Sequence, residues 1–335
     1  MNKKISLYIV VLIVAGLFSV LYINHTKNQK FTDQFPTVRV GLNPWIGNGL
    51  YYYAQDKGIY KQNGINVNLV EYDDNSVGKQ LLNSNQIDVL PFTPDVLVDL
   101  KAAGADVTAV AITDNSQGAD GIVASDKIKT IADLKGQTVA FETGSTSQLL
   151  LAQILAKAGL TLNDIKPLSM SAGDAGAAFL AGKVDVAVTW EPWLTKDSTR
   201  PGGHILASSK DLDVLPDIMI FRTDFVTKHP DVVSRFMASF FDAVTVSKQN
   251  PQEIQAELAN QYGLSPSEVQ QMMPKFSWFD LAGNMEKFAG NGSPTKNLTE
   301  SANQIWTTQG IISQQVNLQE VWDDSFLNTL NHANN

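Results

Sequence analysis

Apolar residues along this chain fall into two rhythms. Short runs alternate or stay continuous, and longer segments repeat every three or four positions, which separates strands from helices. In 37–43, Val38 and Val40 alternate with polar neighbours and predict a strand. The same reading predicts strands over 65–72, 87–93 and 107–113, with helices over 50–61, 77–83 and 94–104. Strands that alternate with helices need crossover connections, so an α/β fold with a mostly parallel sheet and helices on both faces is expected.

A turn-rich stretch, DNSQGADG over 114–121, interrupts this unit. Beyond it, strands are predicted over 121–125, 137–142, 166–171, 184–190 and 204–209, with helices over 146–158 and 172–181 and a short one after Trp190. From His229 the pattern turns helical: Pro230 suits a first helical turn, and Val233, Phe236, Phe240 and Val244 recur at helical spacing as core. Ser265 and Glu268 have the capping-box form. Residues 277–294 read as loop and 298–309 as helix. The first unit is short of helices, so the tail is expected to return to it. Two lobes result, 31–118 with 221–335 against 119–220, joined near 114–121 and 216–223 as a hinge over a cleft.

Composition narrows the function. The 335 residues exceed one ordinary core, and 44% hydrophobic with 18% charged residues is a folded composition. A net charge of -9 argues against nucleic acid as a partner, because phosphate binding needs clustered Lys and Arg. There is no cysteine, which excludes disulfides, thiolate metal sites, a thiol nucleophile and a lipidated cysteine. The four histidines lack ligand spacing, so neither a metal nor a cofactor is expected. No nucleophile elbow or P-loop is present.

The N-terminus stands apart. Lys3 and Lys4 precede an uncharged run over 5–23, long enough to span a bilayer, with no convincing cleavage site after it. Residues 1–30 are therefore expected to be an uncleaved anchor rather than a removed signal peptide, with the rest of the chain across the membrane.

In parallel sheets, ligands sit beyond the carboxyl ends of the strands, so the residues there are the candidates. NPWIGNG over 43–49 supplies Trp45; Phe92, Thr93 and Pro94 follow the third strand, and Thr113 and Asp114 the fourth. FETGSTSQ brings Glu142, Ser145 and Thr146 to a helix start, where free amides and the helix dipole attract anions, although Ser145 or Thr146 equally suits a plain cap. TWEPW places Trp190 and Glu191 at the end of a buried strand. The ring offers flat apolar area and the carboxylate can balance a cation, while Trp193 reads equally as packing.

Four segments then carry a resemblance. VRVGLNPWIGNGLYYYAQDKGIYKQNGINV, IADLKGQTVAFETGSTSQLLLAQILAKAGL, AGAAFLAGKVDVAVTWEPWLTK and FRTDFVTKHPDVVSRFMASFFDA together resemble the substrate-binding proteins of taurine, nitrate and aliphatic-sulfonate type ABC importers. The resemblance implies a two-lobed, type II periplasmic-binding-protein fold and an extracytoplasmic monomer. It also implies a small solute in the cleft and delivery to a permease with a cytoplasmic ATPase. It carries cleft roles to Trp45, Thr93, Ser145, Thr146, Trp190 and Glu191, the last meeting an amine as in taurine-type members. Ser145 and Thr146 would then hold the acidic end of the solute, and Trp45 and Trp190 its carbon part. Two rivals stay open: a binding protein for a thiamine, pyrimidine or riboflavin precursor, and an enzyme of pyrimidine-precursor synthesis on the same fold. The missing cysteine disfavours the enzyme.

Overall fold

The computed structural model describes residues 35–212 and 215–333, and the expected anchor within 1–30 lies outside them. Among the described residues no helix is long and apolar enough to cross a membrane.

The chain opens with β1 (Thr37–Leu42), α1 (Gly49–Asp56), β2 (Asn66–Glu71), α2 (Asn75–Asn83), β3 (Val89–Phe92), α3 (Pro94–Ala102) and β4 (Val107–Ser116). β1 pairs in parallel with both β2 and β3, as alternation of strand and helix requires. The second run is β5 (Asp120–Ser125), β6 (Thr138–Phe141), α4 (Thr146–Lys157), β7 (Lys166–Ser169), α5 (Ala172–Leu180), β8 (Val186–Trp190), α6 (Trp193–Ser198) and β9 (Gly203–Ser208). These strands form their own five-stranded sheet in the order β7-β6-β8-β5-β9.

β10 (Pro216–Arg222) then returns to the first sheet and lies antiparallel between β3 and β4. The tail follows as α7 (Pro230–Gln249), α8 (Pro251–Tyr262), α9 (Pro266–Met272), β11 (Phe276–Trp278), α10 (Leu281–Lys287) and α11 (Pro294–Thr308). The first sheet thus reads β11-β4-β10-β3-β1-β2.

The tail does pack on the first sheet's helices. Tyr51 of α1 stacks on Phe236 of α7 at 6.2 Å, and Val233, Phe236, Phe240 and Val244 are all buried. Burying each contributes about 2 kcal/mol. Ser265 and Glu268 form the expected capping box at α9.

Three differences from the sequence reading have physical causes. Both sheets are mixed: β5 and β10, the strands that follow the two crossings between sheets, run against their neighbours, and β11 of the tail runs against β4. β10 belongs whole to the first sheet, so the second crossing precedes Pro216 rather than lying across 216–223. Residues 277–294, expected as loop, contribute to β11 and hold α10, whose start is capped by Asp280 accepting from the Gly283 N–H.

Candidate functional site

The carboxyl ends of β1, β3 and β4 face the start of α4 and the end of β8 across the gap between the sheets. There they line a narrow cavity of about 20 Å³, so the lobes stand nearly shut on one another and must part to admit a solute. Of the seven expected site residues, Trp45, Thr93, Thr146 and Trp190 line it; Glu142, Ser145 and Glu191 do not.

Trp45 is fixed from several sides. Its Nε1–H donates to Asp114 Oδ1 at 3.1 Å, its carbonyl accepts from the Tyr262 hydroxyl at 2.6 Å, and Phe276 meets its ring edge-on at 5.9 Å. Gly47 makes room for this arrangement. A Cβ there would stand 2.2 Å from Trp45 Nε1 and 2.8 Å from Asp114 Oδ2, too close for either to stay. Trp190 supplies the opposite wall, with its indole N–H buried and without a partner. Trp193 meets Trp190 edge-on at 6.4 Å and sits over Gly173, so it is packing.

Polar contacts close the gap around the cavity. The Thr93 and Thr146 hydroxyls meet at 2.5 Å. The Asn75 backbone N–H and Nδ2 donate to the two oxygens of Glu142 at 3.1 and 2.7 Å. Burial pushes the Glu142 carboxyl up to about 7 in spite of the donated hydrogen bonds.

Like Glu142, two further expected ligand contacts are occupied by protein. Ser145 caps α4: its Oγ accepts from the Ser147 N–H at 3.2 Å and donates to the Glu142 carbonyl at 2.8 Å. The Gly144 N–H is likewise taken, by Gln148 Oε1 at 2.8 Å. Glu191 is fully buried, with Lys275 Nζ at 2.5 Å, the Thr195 hydroxyl at 2.6 Å and the Thr195 N–H at 3.0 Å. Its charge is matched by a lysine from the tail, so it has no amine left to seek.

Sequence reasoning pointed to one of the cavity's three acids and missed the other two. Asp114, Asp120 and Asp217 all line it. Burial raises the first two to about 7; for Asp120 the charges of Asp114, Glu191 and Asp95 add to the effect. Asp217 is raised too, by burial first and then by Asp114, Asp120 and Asp95. Asp114 carried a legible signal, the strand-end position. Asp120 lay inside a turn-rich segment and Asp217 on an unrecognised strand. No cluster of His, Asp or Glu able to hold a metal ion occurs among the described residues. A larger groove between α4 and α11 opens to solvent and shares no lining residue with the cavity.

The NMT1/THI5-like family model matches residues 48–254. The chain is 32% identical over 188 residues to the putative aliphatic sulfonates-binding protein of Escherichia coli (strain K12), which covers 55% of this chain and 59% of that protein. The match therefore spans less than two thirds of that relative's length. Among solved structures, the alkanesulfonate-binding protein from Xanthomonas axonopodis pv. citri bound to MOPS superposes with a TM-score of 0.75 at 23% identity, covering 86% of this chain and 98% of that one. The desulfurization enzyme DSZB shares the fold more distantly, with a TM-score of 0.67 at 16% identity, covering 90% of this chain and 100% of that one.

Proposed function

The chain belongs to the NMT1/THI5-like family, and from that premise we propose that it is the solute-binding component of an ABC importer. It captures a small organic sulfonate or nitrogen-bearing solute between its lobes and delivers it to a permease served by a cytoplasmic ATPase. The observation that carries this reading is the cavity lined from both sheets at their strand ends, by Trp45, Thr93 and Asp114 on one side and Thr146 and Trp190 on the other. Trp45 and Trp190 act as flat walls for the solute, and Thr93 with Thr146 marks the seam where the lobes part.

Opening that seam breaks the Thr93–Thr146, Asn75–Glu142 and Glu191–Lys275 contacts. Ordinary hydrogen bonds contribute about 1 kcal/mol each, so closure is a balance. A solute tips that balance by its differential affinity for the closed form. We place the protein outside the cytoplasmic membrane, tethered by residues 5–23, a position that suits hand-over to a permease.

Binding rather than catalysis fits the wall of the cavity, which pairs no nucleophile with a histidine or lysine. The test is to purify the protein natively, release whatever molecule accompanies it, identify it by mass spectrometry and titrate it into stripped protein. Stoichiometric binding with the molecule recovered intact supports the proposal. Recovery of a converted product sinks it in favour of an enzyme.

A further inference from the structure

We propose that the solute is a small organic cation, its charged nitrogen seated among Asp114, Asp120 and Asp217 between the rings of Trp45 and Trp190. This deepens the reading of the cavity as the solute site and depends on it. The three carboxylates line the cavity and no Lys, Arg or His does. Lys275, the nearby ammonium, is engaged by Glu191 and Thr195. Behind the wall lies a further buried carboxylate, Asp95, with neither oxygen partnered. Burial favours the protonated form of these acids; a cation would draw them into the ionised form and gain their charge, which a purely anionic solute cannot do.

One of the three acids is also left free by the protein. Asp114 accepts from Trp45 and Thr113, yet Asp217 receives no side-chain donor among the described residues. An independent observation points to a ligand in the same place. Trp190 is 4% exposed, its ring forms the wall, and its indole N–H has no acceptor. A buried donor of this kind is costly unless an acceptor arrives, so the cation should carry an oxygen as well. A metal ion does not fit, since the carboxylates do not gather into a ligand set. Spread carboxylates with aromatic faces suit an ammonium or a charged heterocycle, whose charge is diffuse and attracted to rings. The amides at the start of α4, the alternative seat for a sulfonate, are engaged within the protein at Gly144 and Ser147.

The groups facing the carboxylates from neighbouring elements are Asp95, the Glu191–Lys275 pair and the buried hydroxyls of Tyr51, Tyr72 and Tyr262. Lys275 is the only cation in that set, and it is already paired.

Calorimetry on stripped full-length protein against two series decides the matter. One series holds alkylamines, quaternary ammoniums, cationic heterocycles and taurine; the other holds nitrate, alkanesulfonates and isethionate, which is taurine with a hydroxyl in place of the amine. We expect members of the first series to bind and the second to fail. Asp217→Asn should weaken the best binder at least about tenfold while leaving the melting temperature of the free protein unchanged or higher, because a neutral amide replaces an acid whose ionised form burial and its neighbours disfavour. Asp120→Asn serves as the second variant. Isethionate binding as tightly as taurine would overturn the cationic class while leaving the solute-binding reading intact. Silence from both series, with no molecule accompanying the native protein, would overturn both.

Discussion

Lys275 places its ammonium 2.5 Å from the carboxylate of Glu191, 84 residues away in sequence and on the opposite lobe. Glu191 is wholly buried, and the lysine is only partly so. Removing one partner of a buried pair leaves an uncompensated charge. Lys275→Met is therefore expected to cost about 3 kcal/mol of stability. Glu191→Gln with Lys275→Met together should recover most of that loss. Thermal or denaturant unfolding of the two single variants and the double variant measures the coupling; independent, additive losses would show that the pair does not act as one unit.

Ser145 provides the contrasting case. Its hydroxyl serves the first turn of α4 and lies off the cavity wall. Ser145→Ala should lose about 1 kcal/mol, the usual effect of deleting a cap, with solute affinity unchanged. A large drop in affinity at unaltered stability would return Ser145 to the ligand.

Which parts of this site were readable from the sequence follows from the range of the forces involved. Trp45, Thr93, Thr146 and Trp190 were legible because a strand end followed by a helix start is a local pattern, and it fixes where the side chain emerges. Whether a polar group there is free for a ligand is not local. Glu191 is matched by Lys275, which stands on the short turn before β11. Asp217 was hidden for another reason. Ile218, Met219, Ile220 and Phe221 form a short continuous apolar run, which has no period to read, and β10 is buried between two neighbours on the sheet. The two-lobed α/β plan survived these gaps because the alternation of strand and helix specifies it many times over, whereas each buried acid is specified once.

The same buried acids set the response to pH. Asp114, Asp120, Asp197 and Glu142 are held at about 7 and Asp95 at about 6, with burial the leading cause in each, while Asp217 is raised as well. All lie above their unfolded values, so the folded state binds protons more tightly. The stability this confers is present in acid and lost as pH rises through about 7. Asp88 opposes the trend in strong acid: burial raises it, but donors from Arg39 and Arg222 prevail and hold it low. The melting temperature of the free protein should therefore be higher near about pH 5 than near about pH 8. Scanning fluorimetry across that range checks it, and a melting temperature that climbs steadily towards alkaline pH would contradict it.

Glu142 makes the clearest test of closure, because its side chain spans the seam without touching the cavity. Glu142→Ala deprives the Asn75 N–H and Nδ2 of their acceptor only when the lobes are shut; in an open form water satisfies both. Two such bonds at about 1 kcal/mol each shift the open–closed balance by about thirtyfold. Apparent affinity falls by the fraction of closed-competent molecules lost, while the rate of encounter with an open cleft stays as it was. Small-angle scattering should record a larger radius of gyration for the free variant, and stopped-flow fluorescence should assign the weaker binding to faster release. Glu142→Gln keeps one acceptor oxygen and should fall between the parent and the alanine variant on both measures. If all three proteins scatter alike and release solute at one rate, the Asn75–Glu142 contact is incidental to closure, and the seam must be governed by Thr93, Thr146 and the Glu191–Lys275 pair alone.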